Sequence, residues 1–271
     1  MLSRRFPHRI AIIPLILSCA LAAAPNDDWT KHYEAGWEAH DRGEYAEAER
    51  LLRLALGEVE ELGKDDPRVA GVLDSLARVL TSRAKFAEAE AVAKRALKIR
   101  EDMLGRDDLE VGASLDTLAE VYIARGRNAE SEPLLRRSLA IAEKSPEATP
   151  EDLAPALNNL GNLLIELREH GEAEGLYRRA LVLWEDALGQ DDFHVAMVLN
   201  NLAALYSKQE RFADAEPYYR RSLKILEESL GARHPLVPKS LYNLGHLLDA
   251  LGKYDDAERA ASKSLKTREW H

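Results

Sequence analysis

The sequence predicts an all-α fold, a solenoid of six consecutive helical hairpins. A short signature rich in alanine and acidic residues recurs six times, with starts 41, 42, 42, 42 and 42 residues apart: YAEAE, FAEAE, NAESE, HGEAE, FADAE and YDDAE. Between the signatures, apolar residues follow the three-and-four spacing of an amphipathic helix face. A single hairpin of this kind cannot bury its apolar face alone, whereas stacked hairpins can.

Each repeat is predicted to contain two helices. In the fifth repeat, Val195, Leu202 and Tyr206 share one face of the first helix, and the sequence KQER (208–211) separates it from a second helix that contains Tyr219. A leucine of the first helix is followed by a small residue, which lets the two helices approach closely: Ala77, Ala119, Gly161, Ala203 and Gly245. The predicted repeats are approximately 29–62, 67–105, 109–147, 151–189, 193–231 and 235–269.

Acidic residues mark the predicted starts of the first helices. Asp66, Asp108 and Asp192 occupy the same slot of successive junctions, and His234 replaces them in the last one. Aspartate is a favoured N-cap residue because its carboxylate accepts a backbone N–H of the first helical turn. The segment DDFH (191–194) could also suggest a metal site or an acid–base pair, but its place in this recurring slot favours a helix start.

Residues 1–24 are predicted to form a signal peptide that precedes the repeat array at 25–271. The basic start MLSRRFPHR is followed by the apolar run IAIIPLILSCALAAA and by the polar PNDDW. This pattern is typical of a secretory signal, with cleavage after Ala22 or Ala23. We therefore expect an exported protein of the bacterial periplasm or cell envelope. Two alternatives remain, a lipoprotein acylated at Cys19 of the ILSC sequence and a retained membrane anchor.

Composition excludes several classes of function. The formal net charge of −10 and the pI near 5.4 argue against a nucleic-acid-binding protein, which needs a basic face. Cys19 is the only cysteine, so the chain has neither an internal disulfide nor a thiolate-based zinc cluster. Phosphate loops, GxSxG elbows and HExxH motifs are absent from the sequence. We expect no enzymatic activity, cofactor, metal or small-molecule substrate, and membrane association only through Cys19.

The repeat resembles the tetratricopeptide repeat (TPR). The small residue after the first-helix leucine, the aromatic residue and the following alanines carry this resemblance. The 42-residue unit, with LNNLA, LY and AEP in its fifth copy, is similar to the longer repeats of kinesin light chains. The resemblance covers nearly all of residues 29–271. It implies a right-handed α-solenoid whose first helices line a concave, peptide-binding groove, whereas the export signal argues against a role in a cytosolic motor.

A polar stripe lies beside the apolar face of the first helices, and the resemblance places it in the groove. In the fifth repeat it contains Met197, Asn200, Asn201, Ala204 and Lys208. Amides both donate and accept hydrogen bonds, so they can hold a peptide backbone without reading much sequence. The candidate peptide-binding residues are Asn158, Asn159, Asn162, Asn200, Asn201, Lys208, Lys239, Tyr242, Asn243 and His246. Alternatively, one asparagine of each pair bonds the backbone of a neighbouring repeat.

The same stripe is acidic in the N-terminal half of the array. It carries one cation, Arg78, among five acids: Glu34, Asp41, Asp74, Asp116 and Glu120. The sequence therefore predicts an exported scaffold or adaptor that binds a peptide or a partner segment, with different chemistry at its two ends. The alternatives are a structural or assembly subunit of a cell-envelope complex and an accessory domain of an enzyme.

Overall fold

The computed structural model describes residues 28–268 except 233 and 235. This part of the chain forms twelve α-helices joined by short turns: α1 (Asp28–Asp41), α2 (Tyr45–Glu60), α3 (Pro67–Ser82), α4 (Phe86–Leu104), α5 (Leu109–Ala124), α6 (Asn128–Lys144), α7 (Pro150–Glu166), α8 (His170–Leu188), α9 (Phe193–Lys208), α10 (Phe212–Leu230), α11 (Leu236–Ala250) and α12 (Tyr254–Arg268). Six pairs of helices match the six predicted hairpins. The predicted signal peptide lies outside the described residues.

The chain divides into two compact units. Unit 1 extends to Arg125 and contains α1 to α5, and unit 2 starts at Gly126 and contains α6 to α12. The segment 144–155, which contains three prolines, lies inside unit 2 and leads into α7, where Asp152 accepts a hydrogen bond from the backbone N–H of Thr149 at 2.9 Å.

Unit 1 is built by stacking hairpins on one another. Helix α1 packs on α2 and α3 packs on α4, while α3 also contacts α2 and α5. Leu73, Leu76 and Leu80 of α3 are fully buried, as the amphipathic pattern predicts. Ala77 and Ala119, the small residues after the first-helix leucines, are also fully buried. Both of these features agree with the predicted all-α repeat fold.

Unit 2 repeats the same packing with three complete hairpins. Helices α7 and α8, α9 and α10, and α11 and α12 pack as pairs, and α9 also contacts α7, α8 and α11. Leu202 and Ala203 of α9 are fully buried, and Tyr219 of α10 is nearly so. The apolar side chains of each hairpin are therefore covered by its neighbours, which is the arrangement that defines a helical repeat array.

The predicted helix starts are confirmed. The carboxylates of Asp66, Asp108 and Asp192 each accept the backbone N–H two residues further on, at 2.8 Å in all three cases. At the last junction, Nδ1 of His234 accepts the backbone N–H of Leu236 at 3.3 Å. Each bond satisfies one of the N–H groups that the first turn of a helix leaves without a helical partner.

The last glutamate of the signature links neighbouring repeats, a role that the sequence analysis did not assign to it. Glu49 forms ion pairs with Arg83 and Lys85 in the turn of the second repeat. At the same positions, Glu90 bonds Arg125 at 2.5 Å and Glu216 bonds the ammonium group of Lys253 at 2.6 Å. We call these contacts the glutamate clasps, and each of them lies within one unit.

A second kind of ion pair between repeats places the cation on the earlier repeat. At the junction between the third and fourth repeats Arg136 of α6 reaches Glu172 of α8 at 2.7 Å, and at the first junction Arg53 reaches Glu88 in the same way at 2.6 Å. Arg136 also bonds Glu132 of its own helix at 2.8 Å. The i,i+4 pairs Glu174–Arg178 and Glu216–Arg220 form within their helices in the same way.

Candidate functional site

The ten predicted binding residues lie on the three first helices of unit 2. We call this surface the amide face: Asn158, Asn159 and Asn162 of α7, Asn200, Asn201 and Lys208 of α9, and Lys239, Tyr242, Asn243 and His246 of α11. Asn162, Lys208, Lys239, Tyr242 and His246 are exposed, and the other five are half-buried. Because successive repeats are 42 residues apart, equivalent positions of α7, α9 and α11 form three parallel rows.

Amide pairs bridge successive helices of this face. Nδ2 of Asn201 donates to Oδ1 of Asn158 at 2.7 Å, and Nδ2 of Asn243 donates to Oδ1 of Asn200 at 3.3 Å. Each bond therefore joins the asparagine directly before the buried leucine of one repeat to the asparagine two residues before the buried leucine of the preceding repeat. The expected partners of these amides were a bound peptide or a neighbouring backbone, whereas the structure pairs the two side chains with each other.

The paired amides keep part of their hydrogen-bonding capacity. An asparagine offers two N–H donors and an oxygen with two lone pairs. The bond from Asn201 uses one donor of its own amide and one lone pair of Asn158. The half-buried ladder can therefore still donate to, and accept from, a chain laid across it.

Tyr177 fixes the orientation of Asn162 from the neighbouring helix α8. Its hydroxyl donates to Oδ1 of Asn162 at 2.6 Å, and its ring is fully buried. Burial raises the pKa of Tyr177, so the phenol stays protonated and remains a donor. The ring lies against Gly161, where an added Cβ would come within 2.8 Å of Cε1 of Tyr177. Glycine at this position therefore makes room for the side chain that orients Asn162.

Apolar and cationic groups surround the amide pairs. Met197 and Tyr242 are 36% and 53% exposed, and the ring of Tyr242 lies edge-on to His246 with 4.3 Å between centroids. The ammonium group of Lys208 lies 2.7 Å from the carboxylate of Glu166 on α7. The amide face thus combines neutral hydrogen-bonding groups, an exposed aromatic ring and basic side chains.

In unit 1, charged residues occupy the same helix positions. We call this surface the acidic face: Asp74 and Arg78 of α3, and Asp116 and Glu120 of α5. Nε of Arg78 lies 3.2 Å from the carboxylate of Glu120, and Nη2 of Arg78 donates to Oγ1 of Thr117 at 3.4 Å. Desolvation lowers the pKa of Arg78, but Glu120, Asp74 and Asp116 outweigh it and raise that pKa. Burial and Asp74 raise the pKa of Glu120 against the effect of Arg78, although water screens a side chain that is 44% exposed.

A fully buried arginine supports the acidic face from behind. Arg100 of α4 is 0% exposed and bonds Asp74 and Ser114, and its Nε lies 3.3 Å from Glu110. No prediction from the sequence includes this residue. The equivalent positions of α8 and α10 are apolar, Trp184 and Leu226, so a cation at a position that is apolar in those two repeats was the available signal.

The DDFH segment acts as a helix start. Asp192 accepts the backbone N–H of His194 and lies 2.7 Å from its Nδ1, and the imidazole stacks on Trp184 with 4.5 Å between centroids. Among residues 28–268, apart from the two that are not described, His, Cys, Asp and Glu side chains form no group of three or more suited to a metal ion. In the same part of the chain, no helix is long and apolar enough to cross a membrane.

These features define a helical-repeat protein whose first helices present a polar surface. The family model for the tetratricopeptide repeat matches residues 31–102, 110–186, 152–228 and 194–269. The chain belongs to the tetratricopeptide repeat family. No curated protein matches it significantly.

Solved structures with a similar fold span most of this chain. BtubC (BKLC) from P. vanneervenii is 22% identical over 90% of this chain and 92% of its own, with a TM-score of 0.66. A putative kinesin light chain from Podosopora anserina is 19% identical over 75% and 96%, with a TM-score of 0.61. A Rap protein complexed with competence and sporulation factor is 16% identical over 89% and 74%, with a TM-score of 0.63. At these identities the likeness concerns the fold alone.

Proposed function

We propose that this protein is an exported scaffold whose amide face binds an extended peptide or a segment of a partner protein. The observation that carries the proposal is the row of amide pairs, Asn158 with Asn201 and Asn200 with Asn243. An extended chain presents alternating N–H and C=O groups, and an amide can pair with either of them. Tyr242 and Met197 add exposed apolar surface for the side chains of such a segment.

The family supports the general part of this proposal, because TPR arrays typically serve protein–protein interaction. The similar Rap protein, in complex with competence and sporulation factor, is an example in which this fold holds a ligand. Export rests on the leader sequence 1–24 alone. An envelope assembly subunit acylated at Cys19 and an accessory domain of an enzyme are the alternatives.

Affinity purification from the cell envelope, followed by mass spectrometry, tests the binding role. The test variant is Asn200→Ala with Asn201→Ala, and the matched control is Val182→Ala with Lys224→Ala on exposed positions of the second helices α8 and α10. We expect the captured partner to fall at least about tenfold with the amide variant and to persist with the control. Equal recovery with both variants, at unchanged melting temperature, would remove the amide face from the proposal.

Intact-mass analysis of the native protein tests export. We expect a mature N-terminus at Ala23 or Ala24. A chain that still begins at Met1 would contradict cleavage, and a lipid-modified Cys19 would establish the lipoprotein alternative.

A further inference from the structure

Glu258 of α12 lies at the position where the glutamate clasps begin in earlier repeats. It is equivalent to Glu49, Glu90 and Glu216, each of which bonds a basic side chain in the turn of the next repeat. Glu258 is exposed, and its carboxylate forms no ion pair or hydrogen bond with the part of the chain that the structure describes. The sixth repeat therefore presents the acidic half of a clasp to the solvent.

An apolar side chain is exposed on the same helix. Leu265 is 60% exposed. The leucines at its position in the five earlier repeats are buried or half-buried: Leu56, Leu97, Leu139, Leu181 and Leu223. Each of those second helices packs against the first helix of the repeat that follows it. The following repeat thus covers in the earlier copies the surface that is open around Leu265.

Arg42, in the turn between α1 and α2, lies at the position where the clasps end. It is equivalent to Arg83 and Arg125, which bond the glutamates of the repeats that precede them. Its side chain is 55% exposed and pairs with Glu44 at 2.8 Å. Because both partners are exposed, this ion pair adds little stability, and Arg42 can exchange it for another carboxylate. The first repeat therefore presents the basic half of a clasp.

Leu54 of α2 is exposed on the same side of the first repeat. It is 42% exposed and is equivalent to Arg95 and Arg221 of later second helices. Those arginines reach back to the preceding repeat, Arg95 to Glu60 at 2.5 Å and Arg221 to Glu185 at 2.7 Å. The position of Leu54 is therefore one from which a repeat contacts the repeat before it.

The two exposed surfaces belong to hairpins of opposite net charge. We call Arg42 and Leu54 the leading face, and Glu258 and Leu265 the trailing face. The hairpin of the leading face, 28–60, contains nine acidic and four basic residues, whereas the hairpin of the trailing face, 236–268, contains four acidic and six basic residues. Opposite charges of this kind favour encounter and fix the register of docking.

We propose that the leading face of one copy of this chain docks on the trailing face of a second copy. Arg42 then meets Glu258 in the register of the glutamate clasps, and Leu54 and Leu265 are withdrawn from water. The contact is heterologous, because two different surfaces meet, so it can add copies beyond two. No residue of the amide face takes part, so the proposal is independent of the function proposed above.

Sedimentation velocity of the full chain, from micromolar to millimolar concentration, tests this association. We expect the mean mass to rise with concentration and to pass two copies, since each added copy leaves one face free at either end. Arg42→Glu and Glu258→Arg each set like charges against one another and should weaken association at least about tenfold. An equimolar mixture of the two variants should associate again, because each supplies the charge that the other lacks.

Matched controls separate the proposed contact from a general effect of charge. Lys98→Glu on α4 and Asp186→Arg on α8 make the same charge changes at exposed positions away from both faces. They should change the association constant less than about twofold, because salt screens distant exposed charges. Losses with the controls that equal those of Arg42→Glu and Glu258→Arg would overturn the proposal.

Glu44→Lys provides a test in the opposite direction. Glu44 is equivalent to Lys85 and Lys253, which bond the glutamates of the preceding repeats. A lysine here adds a second base opposite Glu258 and should strengthen association at least about threefold. Circular dichroism melting accompanies every variant. If the charge reversals unfold the protein, Glu44→Lys decides alone, and unchanged or weaker association by that folded variant overturns the proposal.

Three further outcomes would overturn the proposal: a mass of one copy at every concentration, a mass that stops at two copies, and association that persists in both charge reversals. Persistent association would indicate another surface, such as the leader 1–24. Asn200→Ala with Asn201→Ala should leave association unchanged while it reduces capture of the partner in the affinity purification. Failure of this proposal is therefore distinct from failure of the amide-face function.

Discussion

The two units use the same helical frame to present different chemistry. In unit 1, the slot that precedes the buried leucine by two residues holds Asp74 and Asp116, and in unit 2 it holds Asn158 and Asn200. Behind the acidic face lies the buried Arg100, whereas Trp184 fills the equivalent slot in unit 2. The leucines and small residues fix the backbone in both cases. The comparison shows that the buried leucines and small residues determine where the surface side chains lie. The identity of those surface side chains, and of the residues packed behind them, determines which groups the surface can bind.

The largest difference in stability between the two units should come from alanine substitutions two residues before the buried leucine. Asp74→Ala leaves the buried Arg100 without its aspartate partner and should reduce the free energy of unfolding by about 3–5 kcal/mol. Asn200→Ala removes one hydrogen bond at a half-buried site and should cost about 0.5–1.5 kcal/mol. Urea titration followed by circular dichroism measures both. Similar costs for the two variants would mean that unit 1 does not depend on its buried ion pair.

The shared frame predicts equal costs for the matched leucines of the two units. Leu118→Ala in α5 and Leu202→Ala in α9 each remove a side chain that is at most 4% exposed. Both should lower the free energy of unfolding by about 2–5 kcal/mol, since each leaves a cavity. A cost below about 0.5 kcal/mol at either site, again by urea titration, would show that this leucine is not part of the common frame.

Two glycines in the same slot of unit 2 should respond in opposite ways to alanine. At Gly161 the new Cβ would lie 2.8 Å from the ring of Tyr177, and at Gly245 the nearest atom is the Cβ of Ala260 at 3.7 Å. Gly161→Ala should cost about 1–3 kcal/mol by overpacking. Gly245→Ala should be neutral or stabilise by up to about 1 kcal/mol, because alanine is the better helix former. Thermal melting that ranks them in the other order would contradict the packing described for Tyr177.

The pH dependence of two glutamates should differ in sign between the units. Lys253 and Arg220 lower the pKa of Glu216, so its stabilising effect exists above the ordinary value of 4.5 and disappears as the pH falls through the lowered pKa. Burial and Asp74 raise the pKa of Glu120, so ionisation costs stability as the pH rises above 4.5.

Glutamine at each position isolates these effects. At pH 7, Glu216→Gln should destabilise by less than about 1 kcal/mol, as expected for exposed ion pairs. Glu120→Gln should stabilise the protein at the same pH and should differ little from the parent near pH 3, whereas the effect of Glu216→Gln should diminish as the pH falls through the lowered pKa of Glu216. Melting temperatures measured from pH 3 to pH 8 give the comparison, and a destabilising Glu120→Gln at neutral pH would contradict the raised pKa.

Local rules were sufficient to predict the helices. The caps at Asp66, Asp108 and Asp192 depend only on residues within one turn, and the apolar periodicity around Leu202 repeats in every copy. Recurrence made these predictions stronger, because a cap that appears at the same slot of successive repeats is not a coincidence of composition. The fold class was therefore predictable from the sequence alone.

Contacts between repeats were not predictable in the same way. The bond between Asn201 and Asn158 joins residues 43 positions apart, one more than the repeat length, so a strict periodic model pairs the wrong side chains. The bond from Tyr177 to Asn162 depends on how α8 packs against α7, which no local sequence pattern predicts. Arg100 broke an apolar pattern, but its partners lie on α3 and α5 and only the packed structure brings them together.

The glutamate clasps also limit how this gene can be rearranged by duplication. Three of the junctions described above place the acid on the earlier repeat and the base on the later turn, as in Glu216 with Lys253. The fourth repeat carries Leu167 and Glu169 where the third carries Arg125 and Arg127. A recombination that joined the second repeat directly to the fourth would therefore leave Glu90 without the basic partner that Arg125 provides. We expect a rearrangement of these repeats to be tolerated best where it keeps an acid on the earlier repeat opposite a base on the later turn.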